Sequence, residues 1–112
     1  MHTEETYMNE EELQSLARKH AAAGHKRLRQ SQVVQRKIDS QTLNMGHVSQ
    51  CVLAQLFGSY AKGKRALLLE NNKDAAEYGF WWHPSLPCSD VKRYYEALTK
   101  AWCEVLTPEI AS

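Results

Sequence analysis

No apolar stretch in this chain approaches the ~18 residues that a membrane-spanning helix needs, so no span and no membrane association are expected. The start, MHTEETYMNEEE, is acidic and lacks the apolar core of a secretory signal. Cysteine is sparse: Cys51, Cys88 and Cys103 lie far apart and form no CxxC, which excludes a zinc ribbon and a thioredoxin-like motif. There is no HExxH and no paired-carboxylate motif. His83 and Cys88 stand as H-x4-C, which fits no closed tetrahedral site, and His20 and His25 are five apart, off a common helix face. Neither a metal nor a cofactor is expected. Strand-like alternation and internal repeats are missing too. An intracellular protein with reduced thiols is therefore expected.

What is present bounds the fold. At 112 residues the chain is one domain, long enough to bury about two-thirds of its unfolded surface. A hydrophobic content of 43% supports a modest core without staples, and a net charge of +1 exerts no global pull on nucleic acid or membrane. The charges are unevenly placed. Residues 1–12 hold five acids and no Lys or Arg, whereas residues 18–37 hold seven bases and no acid.

Helical spacing dominates. Asn9 before Glu10, Glu11 and Glu12 reads as a capped helix start with acids at the positive end of the dipole. From Glu10 to about Gln32 there is no proline and only Gly24, the one candidate point for a break. Leu13, Leu16, Ala17 and Leu28 share one side, and Arg18, His25, Lys26 and Arg29 another. Segment IDSQTLNMGH reads as a packed loop or single turn closed by Gly46. In VSQCVLAQLFGSY, Val48, Val52, Leu56 and Tyr60 repeat at i+4, which predicts a buried central helix over Cys51–Tyr60. KDAAEYGF predicts a short helix capped by a left-handed Gly79, with Phe80 folding back onto it. WWHPSLPC is a loop, because Pro84 and Pro87 deny it backbone donors. Ser89 and Asp90 open a last helix whose Val91, Tyr95, Leu98, Trp102 and Val105 face the core, and Pro108 ends it. Together these predict an all-α, compact single domain of four to five helices around a central buried helix. Residues 1–8 are expected as a flexible acidic N-terminus, 9–107 as the helical domain and 108–112 as a C-terminal tail.

Few residues offer chemistry. Cys51 near a helix start, four residues from His47, has the spacing of an activated thiol, yet Val52 and Leu53 follow at once and favour core packing. Gly58-Ser-Tyr-Ala-Lys-Gly63-Lys64 matches G-x4-G-K, but Arg65 replaces the hydroxyl that holds Mg²⁺, and the preceding segment is helical rather than a strand. The basic helix face offers Arg18, Lys26, Arg29 and Arg36 as phosphate contacts, without an aromatic between Tyr7 and Phe57 for base stacking. A solvated face is the plainer reading. The loop with Phe80, Trp81, Trp82, Pro84 and Leu86 carries too many large apolar groups for an ordinary loop. Phe80 and one tryptophan are expected inside; Trp81, Trp82, His83 and Leu86 are the partner-binding candidates.

In order along residues 36–106 stand Ile38-Asp39 with Thr42, Leu43 and Met45, then Cys51-Val52-Leu53, Gln55-Leu56-Phe57-Gly58, Tyr60 and Gly63. Tyr78-Gly79-Phe80 follow, and lastly Tyr95, Leu98-Thr99 and Ala101-Trp102. This series resembles a family of small uncharacterised proteins of actinobacteria and their phages, with elements I-D-x-x-T-L-x-M, C-V-L-x-Q-L-F/Y-G-x-Y-x-x-G, Y-G-F and Y-x-x-L-T-x-A-W. Ala54 replaces the family's more frequent glycine, Asn44 its aspartate near Met45, and the N-terminal third matches loosely. The resemblance implies phage or prophage origin and a cytoplasmic place in a bacterial host, and it brings no activity with it.

A non-enzymatic protein-binding accessory protein is thus the leading expectation, acting on a host or phage protein. A nucleic-acid-associated protein is the alternative and a Cys51-dependent enzyme the third; a homo-oligomer stays open. If the last helix faces the core as predicted, Trp102→Ala is expected to cost about 3–5 kcal/mol in a denaturant titration. A loss below about 1 kcal/mol, the range of a surface change, would contradict that face.

Overall fold

Glu10 to Gln30 forms one unbroken helix, α1, because its start is doubly tied. Asn9 Oδ1 accepts the Glu12 amide at 2.7 Å, and Glu12 returns the bond to the Asn9 amide at 3.0 Å, a capping box. The computed structural model describes residues 9–35, 37–82, 86 and 88–111, with side chains to 108. Among these, five α-helices and a 3-10 turn follow in order and no strand occurs. After α1 come α2 (Val52–Phe57), α3 (Tyr60–Ala66) and α4 (Asn72–Glu77), then the turn Cys88–Asp90 and α5 (Val91–Ala111). The all-α, single-domain expectation holds. The expected flexible segment 1–8 lies outside the described residues.

Helices α1 and α5 run parallel. Arg93 Nη2 meets Glu10 Oε1 at 3.4 Å, and further along both helices Arg18 Nε lies 3.8 Å from Glu104 Oε1. Each helix has 21 residues and so is about 31 Å long. Residues 31–90 must therefore carry the chain back over that length, which is what the loop and the short helices do.

The seam is made of small residues on α1 against large ones on α5. Ala17, Ala21 and Gly24 face it between Leu13 and Leu28, and α5 answers with Tyr94, Leu98, Trp102 and Leu106, all fully buried. At Gly24 the approach is closest. A Cβ there would overlap the Tyr78 carbonyl oxygen and stand 2.6 Å from Trp102 Cζ2. Gly24 thus leaves α1 whole and lets the indole in.

Several expectations shift. The helix expected over Cys51–Tyr60 is buried at Cys51–Ala54 but stops at Phe57. Gly58 takes φ +95°, and Ser59 caps a new helix by accepting the Lys62 amide at 3.1 Å. Val48 precedes α2 in a turn and is 72% exposed rather than part of an apolar stripe. On α5 the buried row is Tyr94, Leu98, Trp102 and Leu106, leaving Val91, Tyr95 and Val105 half-buried at its edge. Pro108 does not end α5, so 108–111 are helical rather than a tail. Proline removes one donor near the end of the ladder, a smaller disturbance than in mid-helix. The Gly79 expectation holds: φ is +73°, Phe80 N–H donates to the Ala75 carbonyl at 3.0 Å, and Phe80 is buried.

Gly24→Ala separates two effects. Alanine inside a helix brings about 1 kcal/mol of propensity. Overlap with a backbone oxygen and a packed indole costs about 1–3 kcal/mol or more and prevails. A lowered denaturation midpoint is expected; an unchanged or raised one would mean that α1 and α5 are not this close.

Candidate functional site

The turn that closes α4 sends Phe80 inward, and the next two side chains emerge half-buried. Trp81 stacks on Tyr60 at the start of α3, ring centres 5.1 Å apart and planes 30° from parallel. Trp82 N–H donates to the Tyr95 hydroxyl at 3.2 Å, which fixes the chain against α5. The Tyr60 hydroxyl donates to Asn72 Oδ1 at 2.9 Å. Opposite stands the loop of Met45 to Val48, anchored where Met45 N–H donates to Thr99 Oγ1 at 2.9 Å.

These parts enclose a cleft of about 220 Å³ lined by Met45, His47, Val48 and Cys51 on one side and by Tyr60, Phe80, Trp81, Trp82 and Tyr95 on the other. Tyr95 is also the wall of a neighbouring groove of about 790 Å³, which runs over Leu43, Asn44, Val91, Lys92, Glu96 and Thr99. Burial holds the tyrosines neutral. It pushes Tyr60 well above the usual phenol range, with the charges of Tyr95 and Cys51 adding to it, and raises Tyr95 to about 12 despite the Trp82 amide.

The four partner-binding candidates separate. Trp81 and Trp82 are both half-buried walls of the cleft, whereas one of them was expected to be inside. Leu86 is only 5% exposed and belongs to the core, since an aliphatic side chain loses no polar partner on burial. His83 lies outside the described residues. Sequence reasoning missed Tyr60, Tyr95 and Val48 as site residues by assigning them to core stripes. A tyrosine at the edge of an apolar stripe was the available signal, because its hydroxyl end prefers a polar neighbour.

The basic candidates differ in their surroundings. Arg18 pairs with Glu104, with both side chains largely exposed. Arg27, another base of that helix, donates to the Leu67 carbonyl and lies 5.6 Å from the Tyr78 ring centre. Lys26 and Arg29 are exposed, and Arg36 lies outside the described residues.

Cys51 is 3% exposed at the start of α2, and burial raises its thiol above the ordinary value, with nearby backbone amides opposing. His47 is tied to Ser49. Its Nδ1 accepts from the Ser49 amide at 3.2 Å and the Ser49 hydroxyl at 2.9 Å. The Gly58–Lys64 stretch is the joint between α2 and α3, not a strand-to-helix phosphate loop. Among the described residues no group of three His, Cys, Asp or Glu side chains could hold a metal, and no helix is long and apolar enough to cross a membrane.

No family model, curated protein or solved structure matches the chain.

Thiol labelling of the folded protein checks the burial. Cys88 is exposed and is expected to react at once, whereas Cys51 is expected to react only on unfolding. Rapid Cys51 labelling in native buffer would place its thiol in the open.

Proposed function

We propose that this chain is a non-enzymatic, protein-binding accessory protein of phage or prophage origin that docks a host or phage protein on its aromatic cleft. One observation carries the proposal: Trp81, Trp82, Tyr60 and Tyr95 surround a concave opening, with Val48 72% exposed at its rim. Tryptophan and tyrosine supply large, rigid contact area and are enriched among the residues that dominate interface energy. The burial of Cys51, which pushes its thiol up, supports a non-catalytic role. Phage origin and a place in the host cytoplasm rest on the ordered resemblance of residues 36–106.

The tagged protein is expected to retain one stoichiometric protein from actinobacterial lysate after nuclease treatment. Trp81→Ala with Trp82→Ala is expected to lose it while helix content, read by circular dichroism, is retained. Undiminished capture by the folded double variant would remove the cleft from the interface. Prey that leaves with nuclease would transfer the function to Arg18, Lys26 and Arg29.

A further inference from the structure

We infer that the partner inserts one aromatic side chain, flanked by acidic residues, into the cleft between Trp82 and Met45. This rests on the docking function proposed above and specifies what docks.

Size sets the first limit. About 220 Å³ falls below the roughly 300–1,000 Å³ of pockets that enclose drug-sized ligands, so the cleft suits one large side chain. The rest of the partner segment has somewhere to lie, because the larger groove continues past Tyr95.

Lining chemistry sets the second. Five of the ten lining residues are Phe, Tyr or Trp, with Met45 also among them, and such residues favour an aromatic edge or face. The Tyr60 hydroxyl donates to Asn72 and the Tyr95 oxygen accepts the Trp82 amide, so the polar demand of the two phenols on an occupant is at most one acceptor.

Charge sets the third. Lys64 Nζ stands 5.3 Å from the centre of the Tyr60 ring, the ring that stacks on Trp81. Its partner there is the neutral Asn72 Oδ1 at 3.1 Å, and among the described residues no carboxylate is within ion-pair distance of it. In the neighbouring groove Lys92 and Glu96, four apart on α5, offset one another. Lys64 does not line the cleft itself but stands over the ring of Tyr60, one of its walls, and so sets a positive charge beside it. An aromatic cluster also attracts cations, but here an ammonium already stands over Tyr60 and repels a second. A carboxylate beside the inserted ring complements it.

Three capped peptides test this through the protein's tryptophan fluorescence, to which phenylalanine and alanine probes add nothing: acetyl-Glu-Phe-Glu-amide, acetyl-Lys-Phe-Lys-amide and acetyl-Glu-Ala-Glu-amide. The first is expected to give a saturable change, the second to bind more weakly by about fivefold, the scale of one exposed ion pair, and the third not to saturate. Lys64→Gln, which keeps a donor for Asn72, is expected to bring the first two toward equal affinity. Equal or tighter binding of the lysine peptide, equal binding of the alanine peptide, or an unchanged preference in Lys64→Gln would overturn the inference. Absence of saturable binding by any peptide, with tryptophan-dependent capture retained, would overturn it and leave the docking function standing. Loss of both would remove that function as well.

Discussion

The indole of Trp102 ties three helices at one point. Its Nε1–H donates to the Gly79 carbonyl at 2.8 Å, its ring stacks on Phe80 with centres 5.5 Å apart, and its far edge lies against Gly24 of α1. It is fully buried. Removing it would leave a large void and strand a buried carbonyl, two penalties that add. The small α1 residues, the left-handed turn after α4 and the parallel course of α1 and α5 all serve this contact.

The cleft inherits its shape from the same point. Because Gly79 and Phe80 are committed to Trp102, the chain leaves the core at Trp81 and Trp82 and presents them side by side. Two turns back on α5, Tyr95 takes the Trp82 amide, and Thr99 holds the Met45 loop while its own hydroxyl donates to the Tyr95 carbonyl at 2.8 Å. Gln55 tightens the loop further: its Oε1 accepts the Asp39 amide at 2.6 Å and its Nε2 donates to the Gln50 carbonyl at 3.2 Å. Walls tied to helices lose little freedom on binding, which preserves affinity that a floppy aromatic loop would lose.

What could be read in the sequence was local. Asn9 with Glu12 and Gly79 with Phe80 each act within a few residues, and each stands in the fold as its chemistry dictates, while α5 follows directly on Ser89-Asp90, which close a 3-10 turn. Other features depended on distant neighbours. Gly24 could mean a break or a close approach, and only the position of Trp102 decides between them. Tyr94 and Tyr95 are both large and adjacent, so spacing alone could not say which is fully buried and which lines the cleft. Gln32 and Leu68 take φ of 61° after α1 and α3 without the glycine that usually marks such ends. The aromatic loop was legible as a surface feature, whereas its partners Tyr60 and Val48 were hidden in a stripe that Gly58 divides.

Hydrogen exchange at the Trp102 indole Nε1–H tests the central tie most directly. If this contact holds the three helices together, that proton exchanges only when the whole domain unfolds, at the rate of the slowest backbone amides of α1 and α5. Exchange much faster than those amides, with the helices still protected, would show the Gly79–Trp102 bond opening on its own and would contradict its place at the centre of the fold.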